Sequence, residues 1–307
     1  MNTYSIPGSS DGVNLATVTI APENPVAVIQ IVHGMAEHKE RYFPLMNFLA
    51  GKGYACVICD LRGHGGSVSG PEDLGYMGKG GSKGLVDDVH EITLWAKKIF
   101  PDLPYFLFGH SMGSMIVRSY AKRYDSDIDG LFVCGSPSKN SAAGLGDFIA
   151  GVIGLFRGQR YRSAFLAGLC TGNNDKPFYR EGIKNAWLST NRDNVAAYNE
   201  DPLCGFTFTV NGYRNGLFRL MKDIYSPKGW AVANPDMPVL FIAGSDDPCI
   251  ISTKKFSDAV SFMRKVGYHN VSSKLYPGMR HEILQETDRQ TVWQDILDSM
   301  EIHRNTR

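Results

Sequence analysis

The chain has 307 residues, 43% of them hydrophobic and 21% charged, with 32 basic against 31 acidic side chains. This balance excludes a disordered or fibrous protein, and it leaves no global field that would recruit nucleic acid. The length suffices to bury a large core and to carry an inserted element besides.

No apolar stretch approaches the roughly 18 residues of a membrane span. The opening Met1-Asn2-Thr3-Tyr4-Ser5-Ile6-Pro7 lacks the charged start and apolar run of a secretory signal. The six cysteines are scattered, and no disulfide framework is expected. Cys56 and Cys59 have Cys-x-x-Cys spacing, but they fall on a predicted strand, where residues three apart face opposite sides. A redox pair needs neighbouring sulfurs, so a reduced, cytoplasmic setting is expected.

In chain order, Asn14 to Ile20 alternates polar and apolar residues, and Pro22-Glu23-Asn24-Pro25 then turns the chain. Val26 to Val32 is nearly all apolar, the mark of a strand buried on both faces. Further strands are predicted at Tyr54–Cys59, Tyr105–Gly109, Gly130–Gly135, Val239–Gly244 and Val271–Tyr276. Helices are predicted at Phe43–Lys52, Leu85–Phe100, Ser114–Arg123, Thr253–Val266 and Thr287–His303. This alternation signals a mostly parallel sheet covered on both faces. It breaks once, from about Pro137 to Pro235, where no strand pattern appears. So long a segment is no bare loop in a compact domain, and it reads as a helical insertion over the strand ends, a lid.

The pattern Gly-x-Ser-x-Gly marks a serine on a sharp strand-to-helix turn, and it occurs three times. Gly8 to Gly12 is a polar turn. Gly80 to Gly84 reads as a helix start with Ser82 as its N-cap. Only Gly109-His110-Ser111-Met112-Gly113 follows a buried strand and precedes an amphipathic helix. That context makes Ser111 the candidate nucleophile and aims the positive end of the helix at its hydroxyl.

A serine hydroxyl needs an imidazole to take its proton, and the imidazole needs a carboxylate to fix its tautomer. In this strand-to-helix arrangement the partners follow in the order serine, acid, histidine. After the strand ending at Gly244 come Ser245-Asp246-Asp247-Pro248; after the one ending at Tyr276 come Pro277-Gly278-Met279-Arg280-His281-Glu282. His281 is the expected base. His33, His38, His64 and His110 lie at or before the nucleophile, His90 and His269 read as surface residues, and His303 ends the terminal helix. Asp247 is favoured over its neighbour Asp246, because three residues past the strand let the chain turn before presenting a carboxylate. Two backbone N–H groups must face the developing oxyanion. Met112, just after the nucleophile, and Met35, in His33-Gly34-Met35-Ala36-Glu37-His38, are the expected donors.

These segments, with Arg41-Tyr42, with Asp60-Leu61-Arg62-Gly63-His64-Gly65-Gly66-Ser67 and with Arg280-His281-Glu282, closely resemble the monoacylglycerol lipase and lysophospholipase-like branch of the α/β-hydrolases. The resemblance covers the core at both ends of the chain. It implies an eight-stranded, mostly parallel sheet with helices on both faces, a helical cap between the sixth and seventh strands, and hydrolysis of carboxylic esters without a cofactor. It implies a core of residues 1–136 and 236–307, with a lid at 137–235. It supports Ser111, Asp247 and His281 as a triad and Met35 and Met112 as oxyanion donors, although the family often has Gly or Ala where Met35 stands. Asp60, Arg62 and His64 belong to its second signature, with a structural role expected. Within the lid only Asp201-Pro202-Leu203-Cys204-Gly205-Phe206 matches a pattern of the resembling proteins.

Phe148 to Phe156 is an apolar run followed by Arg157, Arg160 and Arg162. It reads first as a lid helix packed on the core with a solvated basic end. The sharper reading is a greasy surface for transient membrane or micelle contact. Phe206 and Phe208, with Tyr213 and Phe218, are candidates to line an acyl tunnel. The expected substrate is a small-molecule or lipid acyl ester, with no metal, nucleic acid or obligate protein partner. Two rivals stand beside this reading: a peptidase, amidase or acyltransferase using the same triad, and a binding protein of the same fold that has lost catalysis.

Overall fold

The computed structural model describes residues 1–304; the last three residues of the expected core segment lie outside them. Eight strands form one sheet in the order β1-β2-β4-β3-β5-β6-β7-β8. They are β1 (Asn2–Pro7), β2 (Asn14–Ile20), β3 (Ala27–Val32), β4 (Tyr54–Cys59), β5 (Tyr105–His110), β6 (Gly130–Cys134), β7 (Val239–Gly244) and β8 (Val271–Tyr276). β1 pairs antiparallel with β2, and β2 antiparallel with β4; every pairing from β4 to β8 is parallel. β1 is not among the predicted strands.

The inner parallel strands β3 to β7 are almost wholly apolar because helices cover both faces, so alternate residues feed two separate cores. Edge strand β8, by contrast, exposes Ser272, Ser273 and Lys274. In β4, Ala55, Val57 and Cys59 join the core under α2 (Gly81–Ile99), α3 (Met112–Tyr124) and α9 (Thr253–Lys265). Tyr54, Cys56 and Ile58 join the core under α1 (Phe43–Ala50) and α10 (Arg289–Arg304). Cys56 and Cys59 thus belong to opposite faces, and both are free, buried thiols.

The helix after Gly80 starts at Gly81, not at Leu85, and its N-cap is Gly80 with no side-chain cap bond. Ser82 is therefore inside α2 and not its N-cap. His90, read as a surface residue, is partly buried, stacked on Tyr124 at 3.9 Å and bonded to Asp127.

From 135 to 238 the chain forms no strand. It builds α4 (Ala143–Arg157), α5 (Ala164–Thr171), α6 (Arg192–Glu200), the short α7 (Val210–Gly212), a π-helix (Tyr213–Arg219) and α8 (Leu220–Ile224). Leu166, Phe208, Val210, Tyr213, Leu220 and Ile224 continue the core under α3, so this segment packs against the helical layer of that face.

Candidate active site

β5 ends at His110, and α3 begins at Met112, leaving Ser111 alone at the corner with φ 53° and ψ −118°. A non-glycine residue held there costs on the order of 1–3 kcal/mol, which the surrounding turn must overcome. The flanking glycines make the turn feasible. A Cβ on Gly113 would lie 2.1 Å from the Val32 carbonyl oxygen, and one on Gly109 would lie 2.4 Å from the Gly113 carbonyl oxygen. The other two motif serines sit elsewhere: Ser10 accepts a bond from Arg62, and Ser82 is within α2.

The loops after β7 and β8 bring two further side chains to this corner. His281 Nε2 lies 2.8 Å from Ser111 Oγ, and His281 Nδ1 lies 2.9 Å from Asp247 Oδ2. The second Asp247 oxygen accepts the N–H of Cys249 at 2.8 Å, which fixes the carboxylate. Asp246 is held by Ser245 instead and has no contact with the imidazole. Burial of His281 opposes its charged form, but the Asp247 carboxylate outweighs that effect and raises its pKa above the ordinary 6.5. The Trp187 ring lies 4.8 Å from the imidazole, and the His281 and Glu282 N–H groups donate to the carbonyls of Trp187 and Leu188.

Met112 opens α3, so its N–H has no carbonyl one turn earlier to bond. Met35 follows Gly34, whose added Cβ would come within 3.1 Å of Ser111 Cβ. Both methionines line the cavity that contains Ser111 and His281. The loop carrying Met35 is tightly braced. Gly34 N–H donates to Glu37 at 2.6 Å, Tyr42 hydroxyl donates to the same oxygen at 2.8 Å, and Ala36 adopts φ 51°. Arg41 joins Glu37 at 2.9 Å to both Glu282 oxygens at 2.6 and 2.7 Å, and also reaches Asn194 on α6. The Glu37 carboxyl is buried, which alone would raise its pKa, but His110 and Arg41 hold it well below the usual range.

Asp60, Arg62 and His64 brace neighbouring loops and lie outside the cavity lining. Asp60 accepts the N–H of Lys39 and Gly66 and the Lys39 ammonium, while Arg62 forms a paired contact with Asp88. His64 Nε2 lies 3.3 Å from Ala36 N, and burial drives its pKa down to about 3, so it stays neutral. The Asp201–Phe206 segment fastens the insertion to the same loop. His38 sits between Glu40 at 2.5 Å and Asp201 at 2.7 Å, and Gly205 N–H donates to Ala36 O. Against the lowering effect of burial, bonds to Cys204, Glu40 and Asp201 push the His38 imidazole up to about 11.

The cavity above Ser111 has a volume of 590 Å³. Phe206, Tyr213 and Phe218 line it. Phe208 does not; it is fully buried against His64, Tyr213 and Gly75, a core residue and not a tunnel wall. At the basic end of α4, Arg157 and Arg160 are exposed as expected, but two of the three arginines are also engaged. Arg160 pairs with Asp73, and Arg162 donates to the carbonyls of Glu72, Leu74 and Thr207. The apolar run is in solvent too: Phe148, Leu155 and Phe156 on α4 are 68, 80 and 79% exposed.

Sequence reasoning assigned no role to Glu37, Arg41, Tyr42, Glu282 or Trp187. The first four stand inside the motifs that carry the family resemblance, but their pairing spans up to 241 residues, and no local spacing reveals it.

Residues 23–288 match a family model described as serine aminopeptidase, S33. The chain belongs to that family. Among its relatives, this S33-family chain is 26% identical over 273 residues to a monoacylglycerol lipase of Mycolicibacterium smegmatis, covering 89% of this chain and 87% of that one. It is also 26% identical to phospholipase YtpA of Bacillus subtilis, over 88% of this chain and 93% of the relative. A thermostable carboxyl esterase from Bacillus coagulans, solved with glycerol, superposes with a TM-score of 0.91 at 26% identity, over 99% and 98% of the two chains. The S33-family chain has the α/β-hydrolase fold, as its sheet order and these neighbours together require.

Proposed function

We propose that this carboxylic ester hydrolase releases the single acyl chain of monoacylglycerols, through an acyl-enzyme on Ser111. The observation that carries the reading is the continuous contact from Ser111 Oγ to His281 to Asp247, at 2.8 and 2.9 Å, opening into one 590 Å³ cavity. Ser111 Oγ attacks the ester carbonyl as His281 Nε2 takes its proton, and Asp247 stabilises the imidazolium. The N–H groups of Met35 and Met112 receive the oxyanion. His281 then returns the proton to the leaving alcohol, and water activated by the same imidazole releases the acid.

Two features support a neutral lipid substrate. Met112, Met115, Leu217, Phe218 and Met221 offer an apolar wall for an acyl chain, while Asn174, Lys184 and Asn185 offer polar groups for a small head. Lys184 is the one Lys or Arg lining the cavity among the described residues, which favours glycerol over a phosphodiester.

The division into a core at 1–136 and 236–307 and a lid at 137–235 belongs to this proposal. So does transient contact of the lid with membranes or micelles. Leu169 both lines the cavity and is 49% exposed, so the cavity meets the surface on the side of the exposed apolar helices. Among the described residues no helix is long and apolar enough to cross a membrane.

The family description raises an aminopeptidase as second reading. An α-ammonium group would need an available carboxylate. The acids lining the cavity are Glu37, Asp175 and Glu282. Glu37 is held by Gly34, Arg41 and Tyr42, Glu282 by Arg41 and Asn194, and Asp175 by the N–H groups of Asn185 and Trp187. A panel of monoacylglycerols, lysophospholipids, p-nitrophenyl esters and aminoacyl amides tests the choice. Monoacylglycerols should give the highest kcat/KM, by about tenfold or more over aminoacyl amides, which corresponds to about 1.4 kcal/mol. Faster cleavage of the amides would overturn the reading.

A further inference from the structure

Arg118 projects from α3 two turns beyond Ser111 and is completely buried. Its guanidinium carries five N–H donors. Among the described residues it has one hydrogen bond, a long one of 3.5 Å from Nη1 to Ser136 Oγ, and Nε and Nη2 have no acceptor. The carboxylates around this helix are committed elsewhere. Asp223 takes Ser119, Lys122 and Arg123, and Asp125 takes the N–H groups of Ala233 and Asn234 and the hydroxyl of Tyr268. No described acid forms an ion pair with Arg118. The guanidinium carbon lies 4.5 Å from the centre of the Tyr225 ring and 5.6 Å from that of Phe241, so two π faces offset part of the charge. Rings leave the in-plane N–H groups unsatisfied, and a buried charge without a counter-charge is strongly unfavourable.

The location gives this group a structural meaning. Ser136 and Pro137 are where the chain leaves β6 for the helical insertion, and Tyr225 is where α8 brings it back. The Tyr225 hydroxyl donates to Pro137 O at 3.0 Å, so the two stalks touch beside Arg118.

We propose that Arg118 holds a buried monovalent anion of halide type, in the plane of the guanidinium and against the junction of the two stalks. Nε–H and Nη2–H donate to it, and the Ser136 hydroxyl is the neighbouring donor. Water satisfies the donors but not the charge, whereas a small anion supplies an acceptor and a counter-charge together. The bound ion then joins α3 to both stalks and ties the seating of the insertion to anion concentration.

Two measurements test this. A crystal of the unaltered protein grown in sodium bromide should show an anomalous peak within hydrogen-bond distance of Arg118 Nη2. In solution, Tm should be a few °C higher in sodium chloride than in sodium gluconate of equal ionic strength, and Arg118→Met should abolish that difference. If the Arg118→Met chain does not fold, the bromide crystal and the salt comparison on the unaltered protein decide. Water without anomalous signal beside Arg118, or equal Tm in the two salts, overturns the proposal.

Discussion

Asp246 and Asp247 are adjacent, yet only one of them faces the imidazole, and this gives a sharp residue-level expectation. Asp247→Asn should lower kcat by about 10⁴-fold, whereas Asp246→Asn, at a side chain held by Ser245, should leave kcat within a few fold. Steady-state kinetics on a p-nitrophenyl ester checks both. The raised pKa of His281 also has a sign that can be read. The base must be neutral to accept the Ser111 proton, so kcat/KM should fall as pH drops through a value above 6.5. In Asp247→Asn that acid limb should move to lower pH, because the raising carboxylate is gone and burial remains. For stability the direction is opposite to that for activity: the His281–Asp247 pair contributes fully below the unfolded-state value near 6.5 and is lost as pH rises through the raised folded value. Ser111, Asp247 and His281 were legible because each follows a readable strand end. Glu37, Arg41 and Glu282 were not, since their bonds join loops far apart in the chain and leave no periodic trace.

Among the elements, the turn between β5 and α3 is the most constrained. Gly113→Ala pushes a methyl into the Val32 and His33 carbonyls, which lie 2.1 and 2.5 Å from the new Cβ. The expected result is a loss of at least about 1–3 kcal/mol in stability, measured by urea unfolding, together with loss of activity as the Met35 and Ser111 segments are forced apart. Gly-x-Ser-x-Gly reveals this constraint in sequence only when the flanking strand and helix are read with it. Other elements hide better. β1 is a sheet-edge strand with exposed Asn2, Thr3 and Ser5, so it lacks the apolar content that made the central strands visible. The π-helix at Tyr213–Arg219 was not among the predicted elements; within it Gly216 packs closely, since a Cβ there would meet Met112 Sδ at 3.1 Å.

At the scale of the whole molecule, the loops after β3, β5, β7 and β8 bring Met35, Ser111, Asp247 and His281 together. The 135–238 segment lines much of the cavity there while exposing apolar side chains of α4. The arginines that seemed suited to head groups are largely engaged with the 72–76 loop and Thr207, so lipid contact through α4 should be driven by area more than by charge. Leu155→Ser with Phe156→Ser should therefore weaken binding to neutral phosphatidylcholine vesicles by about tenfold or more, since fully burying each such side chain is worth about 1.5–3 kcal/mol. Turnover of a soluble short-chain ester should be unchanged, and flotation with vesicles alongside that assay separates the two effects. The core could be read from sequence because its alternation repeats. The insertion was readable as a helical segment, but its individual helices beyond the Phe148–Phe156 run were not, because most are short and seated by specific bonds such as His38 to Asp201. The most direct test of the whole account is to quench the protein during turnover of a p-nitrophenyl acyl ester and map the acylated peptide by mass spectrometry. The account predicts one acyl adduct, on Ser111, absent from Ser111→Ala; an adduct on another residue, or turnover by Ser111→Ala within tenfold of the unaltered enzyme, would contradict it.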